Sequence, residues 1–298
     1  MNIVITGASG FVGQNLLKYL EDNQYNVAGL SLRNDWNLPV NCDALIHLAG
    51  KAHDTANTSA DEEYFKINTD LTKKLFNEFL DSDISDFFYF SSVKATADTV
   101  DGILDESHHP DPKTPYGKSK LLAEQYLLSK ELPEGKRLFI IRPCMIHGPG
   151  NKGNLNLLYQ VVEKGIPWPL AAFENQRSFL SIENLNFLIV QILRTKDVRS
   201  GIYNFADDDF ISTNKLIEII SNASGRKPRL WKISKELIIT LAKLGDKIKL
   251  PLNSERLKKL TESYAVSNSK IKKALRLAKL PVSADEGLMK TIKSFKTK

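Results

Sequence analysis

The chain has 298 residues, 42% hydrophobic and 26% charged, the balance of an ordinary globular protein, which excludes global disorder. Its apolar runs stop well short of the roughly 20 residues of a membrane-spanning helix, and the opening MNIVITGASG lacks the basic, apolar and small-residue stretches of a secretion signal, so neither an integral membrane segment nor export is expected. The net charge of +6 admits a polyanionic partner, but much of the excess sits in residues 270–298 as a basic tail, and no recognition motif or aromatic–basic interleaving accompanies it, so no nucleic acid is expected.

Residues 2–6 are a short, β-branched apolar run and predict a strand. A glycine-rich turn follows, then a helix with Val12, Leu16, Leu17 and Leu20 on one face. Residues 27–32 and 44–48 read as strands, 61–80 as a long amphipathic helix, 87–91 as a strand, 114–130 as a helix and 138–142 as a strand. Strands alternating with helices predict an α/β, doubly wound parallel sheet with crossover helices. Beyond Pro143, prolines and glycines break the pattern into loops around one helix at 155–163. A helix at 182–193 and a strand at 202–205 return to the sheet, and short helices dominate after 207. The expected division is a Rossmann-type dinucleotide-binding domain (1–143 and 178–206) and a smaller, discontinuous substrate lobe (144–177 and 207–298). Cys42 and Cys144 lie far apart, and the five histidines have no ligand spacing, so no disulfide, no metal site and a reducing, cytoplasmic setting are expected.

In the turn Thr6-Gly7-Ala8-Ser9-Gly10-Phe11-Val12-Gly13, glycines at 7, 10 and 13 allow a sharp turn, close approach to a pyrophosphate and tight packing of helix on strand. The pyrophosphate would rest on backbone N–H groups of Ser9 to Gly13, where the helix dipole favours negative charge. The end of the second strand offers Ser31 and Arg33 where an acidic residue would bond a ribose 2′-hydroxyl. Both suit a 2′-phosphate, so NADP(H) is favoured and NAD(H) is the other option. Asp35-Trp36 would flank the adenine.

Tyr116 and Lys120, four residues apart, share a helix face. The lysine cation is expected to lower the tyrosine pKa and to hold the nicotinamide ribose, leaving Tyr116 to exchange a proton with a carbinol. Ser92, at the end of the preceding strand, can bond the reacting oxygen.

The Gly-x-x-Gly-x-x-Gly turn with Ser92, Tyr116 and Lys120 resembles the extended short-chain dehydrogenase/reductase superfamily, the NAD-dependent epimerase/dehydratase group. The resemblance implies a cofactor lined by Leu48, Ala49, Gly50, Asn68 and Pro143. It matches Arg142-Pro143 and His147-Gly148-Pro149-Gly150 to a family signature that carries tyrosine at the histidine position. It further implies a nucleotide-diphosphate sugar held by Ser92, Lys94, Met145, Asn154, Leu155, Trp168, Arg177-Ser178 and Arg256, and a homodimer across the helices at 61–80 and 114–130. Val93-Lys94 stand where 4,6-dehydratases of the group carry Asp-Glu, so dehydration is not expected. Reduction of a 4-keto sugar by NADPH is favoured, 4-epimerisation with bound NAD is the alternative, and a non-catalytic dinucleotide sensor is disfavoured by the complete triplet. His47 reads as a core residue, His108-His109 as surface and His53 as a rim residue. Residues 233–250, with Lys243, Lys247 and Lys249, read as a basic amphipathic helix. Its apolar face is expected to pack in the lobe, with membrane docking the other reading.

Overall fold

The computed structural model describes residues 1–51, 60–151, 154–248 and 253–296. Its first half runs β1 (Asn2–Thr6), α1 (Phe11–Asp22), β2 (Asn26–Leu30), β3 (Ala44–His47), α2 (Asp61–Tyr64), a π-helical turn (Phe65–Asp70) and α3 (Leu71–Leu80). There follow β4 (Asp86–Phe90), a 3-10 turn (Val93–Ala95), β5 (Ile103–Leu104), α4 (Pro115–Leu128) and β6 (Arg137–Pro143). The second half runs β7 (Met145–His147), α5 (Asn154–Glu163), β8 (Arg177–Ser181), α6 (Ile182–Arg194), β9 (Gly201–Phe205), β10 (Phe210–Ile211) and α7 (Thr213–Ala223). It ends with α8 (Lys235–Ile248), α9 (Ser254–Thr261), β11 (Ala265–Val266), α10 (Ser269–Ala274) and α11 (Ala284–Lys293).

Six strands pair in parallel in the order β2-β1-β3-β4-β6-β9. β3 and β4 are buried along their whole length, as the unbroken apolar runs of a sheet covered on both faces require. From β1 the chain moves to β2 on one side and then to β3 on the other. The ends of β1 and β3 therefore flank the point where the winding reverses, the place where open α/β sheets hold ligands. The predicted parallel α/β fold is the observed one.

Three details depart from the sequence pattern. The helix expected over 61–80 is interrupted by the π-helical turn, which brings Asn68 and Thr69 into the interior. The stretch expected to be loops around α5 contains β7, which joins β8 and β10 in a small second sheet. The basic stretch from 270 is no free tail, since Ile271 of α10 and Leu288 and Ile292 of α11 are fully buried. A second apolar core, with Leu155, Tyr159, Trp168, Ile217, Ile220 and Leu288, lies in this later part of the chain.

The main core also holds charges. Glu124 of α4 accepts from the Nε and Nη2 of Arg142 on β6 and from the hydroxyl of Ser91 at the end of β4. Arg142 and Glu124 side chains are 2% and 1% exposed, so neither charge has water as an alternative partner. Replacing Glu124 by Ala leaves a buried guanidinium uncompensated and is expected to cost about 3–5 kcal/mol in urea unfolding; a loss below about 1 kcal/mol would show that the pair does not hold the fold.

Candidate active site

At the winding reversal, Gly7 has a φ of +72°. A Cβ on Gly7 would lie 2.7 Å from the Ala49 amide nitrogen, and one on Gly13 would lie 2.3 Å from the Gly7 carbonyl oxygen. Only hydrogen fits at either place, so the turn lies directly against Ala49 on one side and the first turn of α1 on the other. Gly10 is the N-cap of α1, no side chain caps this helix and its first turn holds no acidic residue. The positive end of the helix dipole is thus left to a ligand, which is what a diphosphate needs. The residues present fit the dinucleotide implied by the family resemblance.

A hydrogen-bond relay fixes the opposite wall. The Ala49 N–H donates to Thr6 Oγ1 (3.2 Å), and Thr6 Oγ1 meets His47 Nδ1 at 2.7 Å. His47 Nε2 meets Thr72 Oγ1 at 2.9 Å, and that hydroxyl donates to the Asn68 carbonyl (2.8 Å). Thr72 can then only accept from His47, so Nε2 carries the proton and Nδ1 accepts from Thr6. Burial, with Lys120 as a lesser cause, pushes the His47 pKa down to about 3, and the ring is neutral. The expected core role of His47 is the one it has.

The Asn68 side chain accepts from the Lys51 N–H (2.8 Å) and donates to the Lys51 carbonyl (3.1 Å) and Ser119 Oγ (3.1 Å). Both amide hydrogens are spent on protein, so Asn68 positions the strand-end loop against α4. A Cβ on Gly50 would meet Asn68 Oδ1 at 2.9 Å and Lys120 Nζ at 3.2 Å, so the lysine head and the loop backbone converge there.

α4 starts at a Thr114 cap with Pro115 in its first turn. A Cβ on Gly117 would lie 2.4 Å from the Lys94 carbonyl. That close approach brings Tyr116 into side-chain hydrogen-bonding contact with Ser92, whose Oγ also accepts from the Lys94 N–H. Lys120 Nζ donates to the Phe90 carbonyl (2.8 Å) and lies 5.0 Å over the Tyr89 ring. Ser92, Tyr116 and Lys120 are thus brought together at the end of β4. Burial pulls the Lys120 pKa down to about 8, against the opposing field of Glu124. The sequence-based expectation for Tyr116 is corrected: burial raises its pKa, and the Ser92 hydrogen bond only partly offsets this. The phenol keeps its proton at neutral pH.

The remaining predicted residues are spread more widely. Ser31 and Arg33 are exposed just past β2. Trp36 packs against the core near β2 with Leu32 and Leu38, and Lys74 Nζ lies 5.0 Å over its ring. Lys94 Nζ donates to the Asp98 carbonyl (2.7 Å), lies 4.1 Å over the Tyr264 ring, and has its pKa lowered by burial. Arg177 lies near Lys94, is half-buried and donates to the Lys259 carbonyl (3.1 Å). Ser178 is buried and bonds the Val266 backbone, and Arg256 is exposed on α9. Leu155 and Trp168 are 3% and 7% exposed and pack in the second core rather than lining an open surface, with Met145 against the same core. Pro143 is buried at the end of β6. His53 and the side chain of Asn154 lie outside the described residues. His108 and His109 are exposed, and His147 is buried with Nδ1 bonded to Thr291 Oγ1 (2.9 Å). No group of metal-ligating side chains occurs among the described residues.

Sequence reasoning passed over Tyr64, whose ring stands edge-on to Tyr116 at 6.1 Å, and Glu124. The latter had a signal, four residues beyond Lys120 and eight beyond Tyr116 on the same helix face.

A family model described as "NAD dependent epimerase/dehydratase family" matches residues 3–206. A UDP-glucose 4-epimerase of Vibrio cholerae is 30% identical, covering 99% of this chain and 95% of its own. A GDP-6-deoxy-D-mannose reductase of Pseudomonas aeruginosa is 25% identical over 74% of this chain and 79% of its own. Among solved structures, RMD from Pseudomonas aeruginosa complexed with NADPH superposes with a TM-score of 0.75 at 20% identity, covering 100% of this chain and 99% of that one.

The depressed Lys120 pKa carries a stability consequence. Between about 8 and the ordinary lysine value of 10.5 the unfolded chain binds a proton that the folded chain lacks, so stability rises with pH across that window. Below it, the folded state carries the full burden of the buried cation. Lys120→Met is therefore expected to raise unfolding stability at neutral pH by about 1 kcal/mol; a destabilised variant in urea unfolding would contradict this.

Proposed function

The chain belongs to the NAD dependent epimerase/dehydratase family, and on that premise we propose that it is a cytoplasmic enzyme transferring hydride at C4 of a nucleotide-diphosphate hexose. The reading we favour is NADPH-dependent reduction of a UDP-4-keto-6-deoxy-N-acetylhexosamine, in making a surface-polysaccharide sugar. The observation that carries it is a proton-bearing Tyr116 hydrogen-bonded to Ser92 at the end of β4, with Lys120 one helical turn on. Reducing a ketone takes one hydride and one proton, and a phenol with a raised pKa is the donor form.

The nicotinamide, when bound, supplies the hydride. Ser92 holds the carbonyl oxygen, and Tyr116 gives it a proton as negative charge develops there. Lys120 holds the ribose side, and the phenol regains its proton from solvent. Lys94 and Arg177 are suited to an anionic substrate group, Arg177 by its fork of donors. Val93 and Lys94 offer no carboxylate for water elimination, which counts against a dehydratase.

Ser31 and Arg33 support a 2′-phosphate on the cofactor, since both are exposed at the end of β2, where an acidic side chain would repel it. A second reading, 4-epimerisation of a UDP-hexose with bound NAD, is favoured by the 30% identity to the Vibrio cholerae 4-epimerase over nearly the whole chain. We also take residues 1–143 and 178–206 as the dinucleotide domain, with 144–177 and 207–298 as the substrate lobe. Two copies would pair across α3 and α4, where Leu122 and Leu128 are exposed.

Mixing the protein with NADPH and the UDP-4-keto sugar is expected to consume NADPH stoichiometrically, and Tyr116→Phe to lower kcat by about a hundredfold or more with cofactor affinity kept. Interconversion of UDP-hexoses with no net NADPH loss would establish the epimerase reading instead. Arg33→Ala is expected to shift the NADPH/NADH ratio of kcat/KM toward NADH by about tenfold; an unchanged ratio would remove Arg33 from the cofactor site.

A further inference from the structure

α8 carries more apolar surface than the lobe covers. Ile238, Ala242 and Gly245 recur at i, i+4 and i+7 and are buried. Leu237, Leu241, Leu244 and Ile248 form a second stripe at the same period, displaced by one residue, and are 43–58% exposed. The expectation that the apolar face of this segment packs in the lobe therefore holds for one stripe only. Trp231, shortly before the helix, is 56% exposed, and so is Ile166 at 51%.

The charge around this stripe is predominantly positive, with Glu236 and Asp246 the acidic residues of α8 itself. Residues 226–259 hold eleven Lys or Arg and three Asp or Glu, a net +8, so the rest of the chain is net −2. Lys243 and Lys247 lie on the polar side of α8. Between the ends of α5 and α7, a cleft of about 300 Å³ is lined by Arg226, Lys227 and Arg229 together with Val162, Ile166 and Ile217. Two of its guanidiniums come within 3.7 and 3.9 Å of the Cβ position of Gly165. Among the described residues, no carboxylate pairs with Arg226, Lys227, Arg229, Lys243 or Lys247.

We propose that α8, with Trp231 and the adjoining basic cleft, is a docking surface for an anionic phospholipid bilayer. Leucine and isoleucine side chains at half exposure suit insertion at the headgroup boundary, and lysines and arginines beside them suit lipid phosphates. The charge argues against a second copy as the occupant, because a two-fold contact would set one basic segment against its identical mate. The docking is peripheral, since no helix among the described residues is long and apolar enough to cross a membrane.

Co-sedimentation of the full-length protein with phosphatidylcholine vesicles, with and without phosphatidylglycerol, tests this. Binding is expected with phosphatidylglycerol, is expected to weaken as salt rises, and is expected to fall about tenfold or more in Leu241→Glu/Leu244→Glu. Lys243→Gln/Lys247→Gln keeps the apolar stripe and is expected to lose the preference for phosphatidylglycerol. Both pairs are exposed, so thermal unfolding midpoints should match wild type. Failure of the wild type to sediment with anionic vesicles, or equal sedimentation of the leucine variant, would overturn the proposal. So would a wild-type dimer in light scattering that the leucine variant dissociates, which would give the face to a second copy.

Discussion

The site depends on one buried carboxylate. Tyr116, Lys120 and Glu124 occupy successive turns of the same face of α4, and Glu124 anchors that face through an ion pair. Its bonds to Arg142 and Ser91 tie the helix to the ends of two neighbouring sheet strands. A helix held by apolar contacts alone could slide or rotate at small cost, because dispersion and burial are not directional. A two-point guanidinium–carboxylate contact is directional, and it fixes the rotation that aims the phenol at Ser92 and the ammonium at the Phe90 carbonyl.

The same logic governs the winding reversal. The turn at Gly7 and the loop after β3 touch backbone to backbone, so their spacing is set by the absence of side chains. What holds them together is polar and buried: Thr6, His47, Thr72 and Asn68 in series, with Asn68 reaching on to Ser119 of α4. The glycine turn and the helix that carries Tyr116 and Lys120 thus belong to one hydrogen-bonded frame. The π-helical turn is part of it, because it places Asn68 and Thr69 inward between α2 and α3.

The parallel sheet was legible because strands covered on both faces read as unbroken apolar runs, as in Phe87-Phe88-Tyr89-Phe90. The triplet was legible because a four-residue spacing on a helix is a geometric statement. β7 was not, since three residues are too few to show alternation, and the π-helical turn has no compositional mark. The burial of Trp168 and Leu155, which the resemblance assigns to the substrate, was not legible, because it comes from packing with α5, α7 and α11 that no local pattern records. The sign of the Tyr116 shift was missed for a related reason. Spacing reveals which charge is near, but the depth of burial, which dominates here, is a property of the assembled chain.

The neutral imidazole at the centre of the frame makes the fold acid-labile at one place. His47 resists protonation down to about pH 3 in the folded chain, while an unfolded histidine takes a proton near its ordinary value of 6.5. Acidification through that interval draws free energy away from the native state. When the ring is finally charged, Nδ1 can no longer accept from Thr6, and the support of Ala49 is lost with it. Acid would thus act first on the wall beside the Gly7 turn, where the loop after β3 hangs on a single neutral ring.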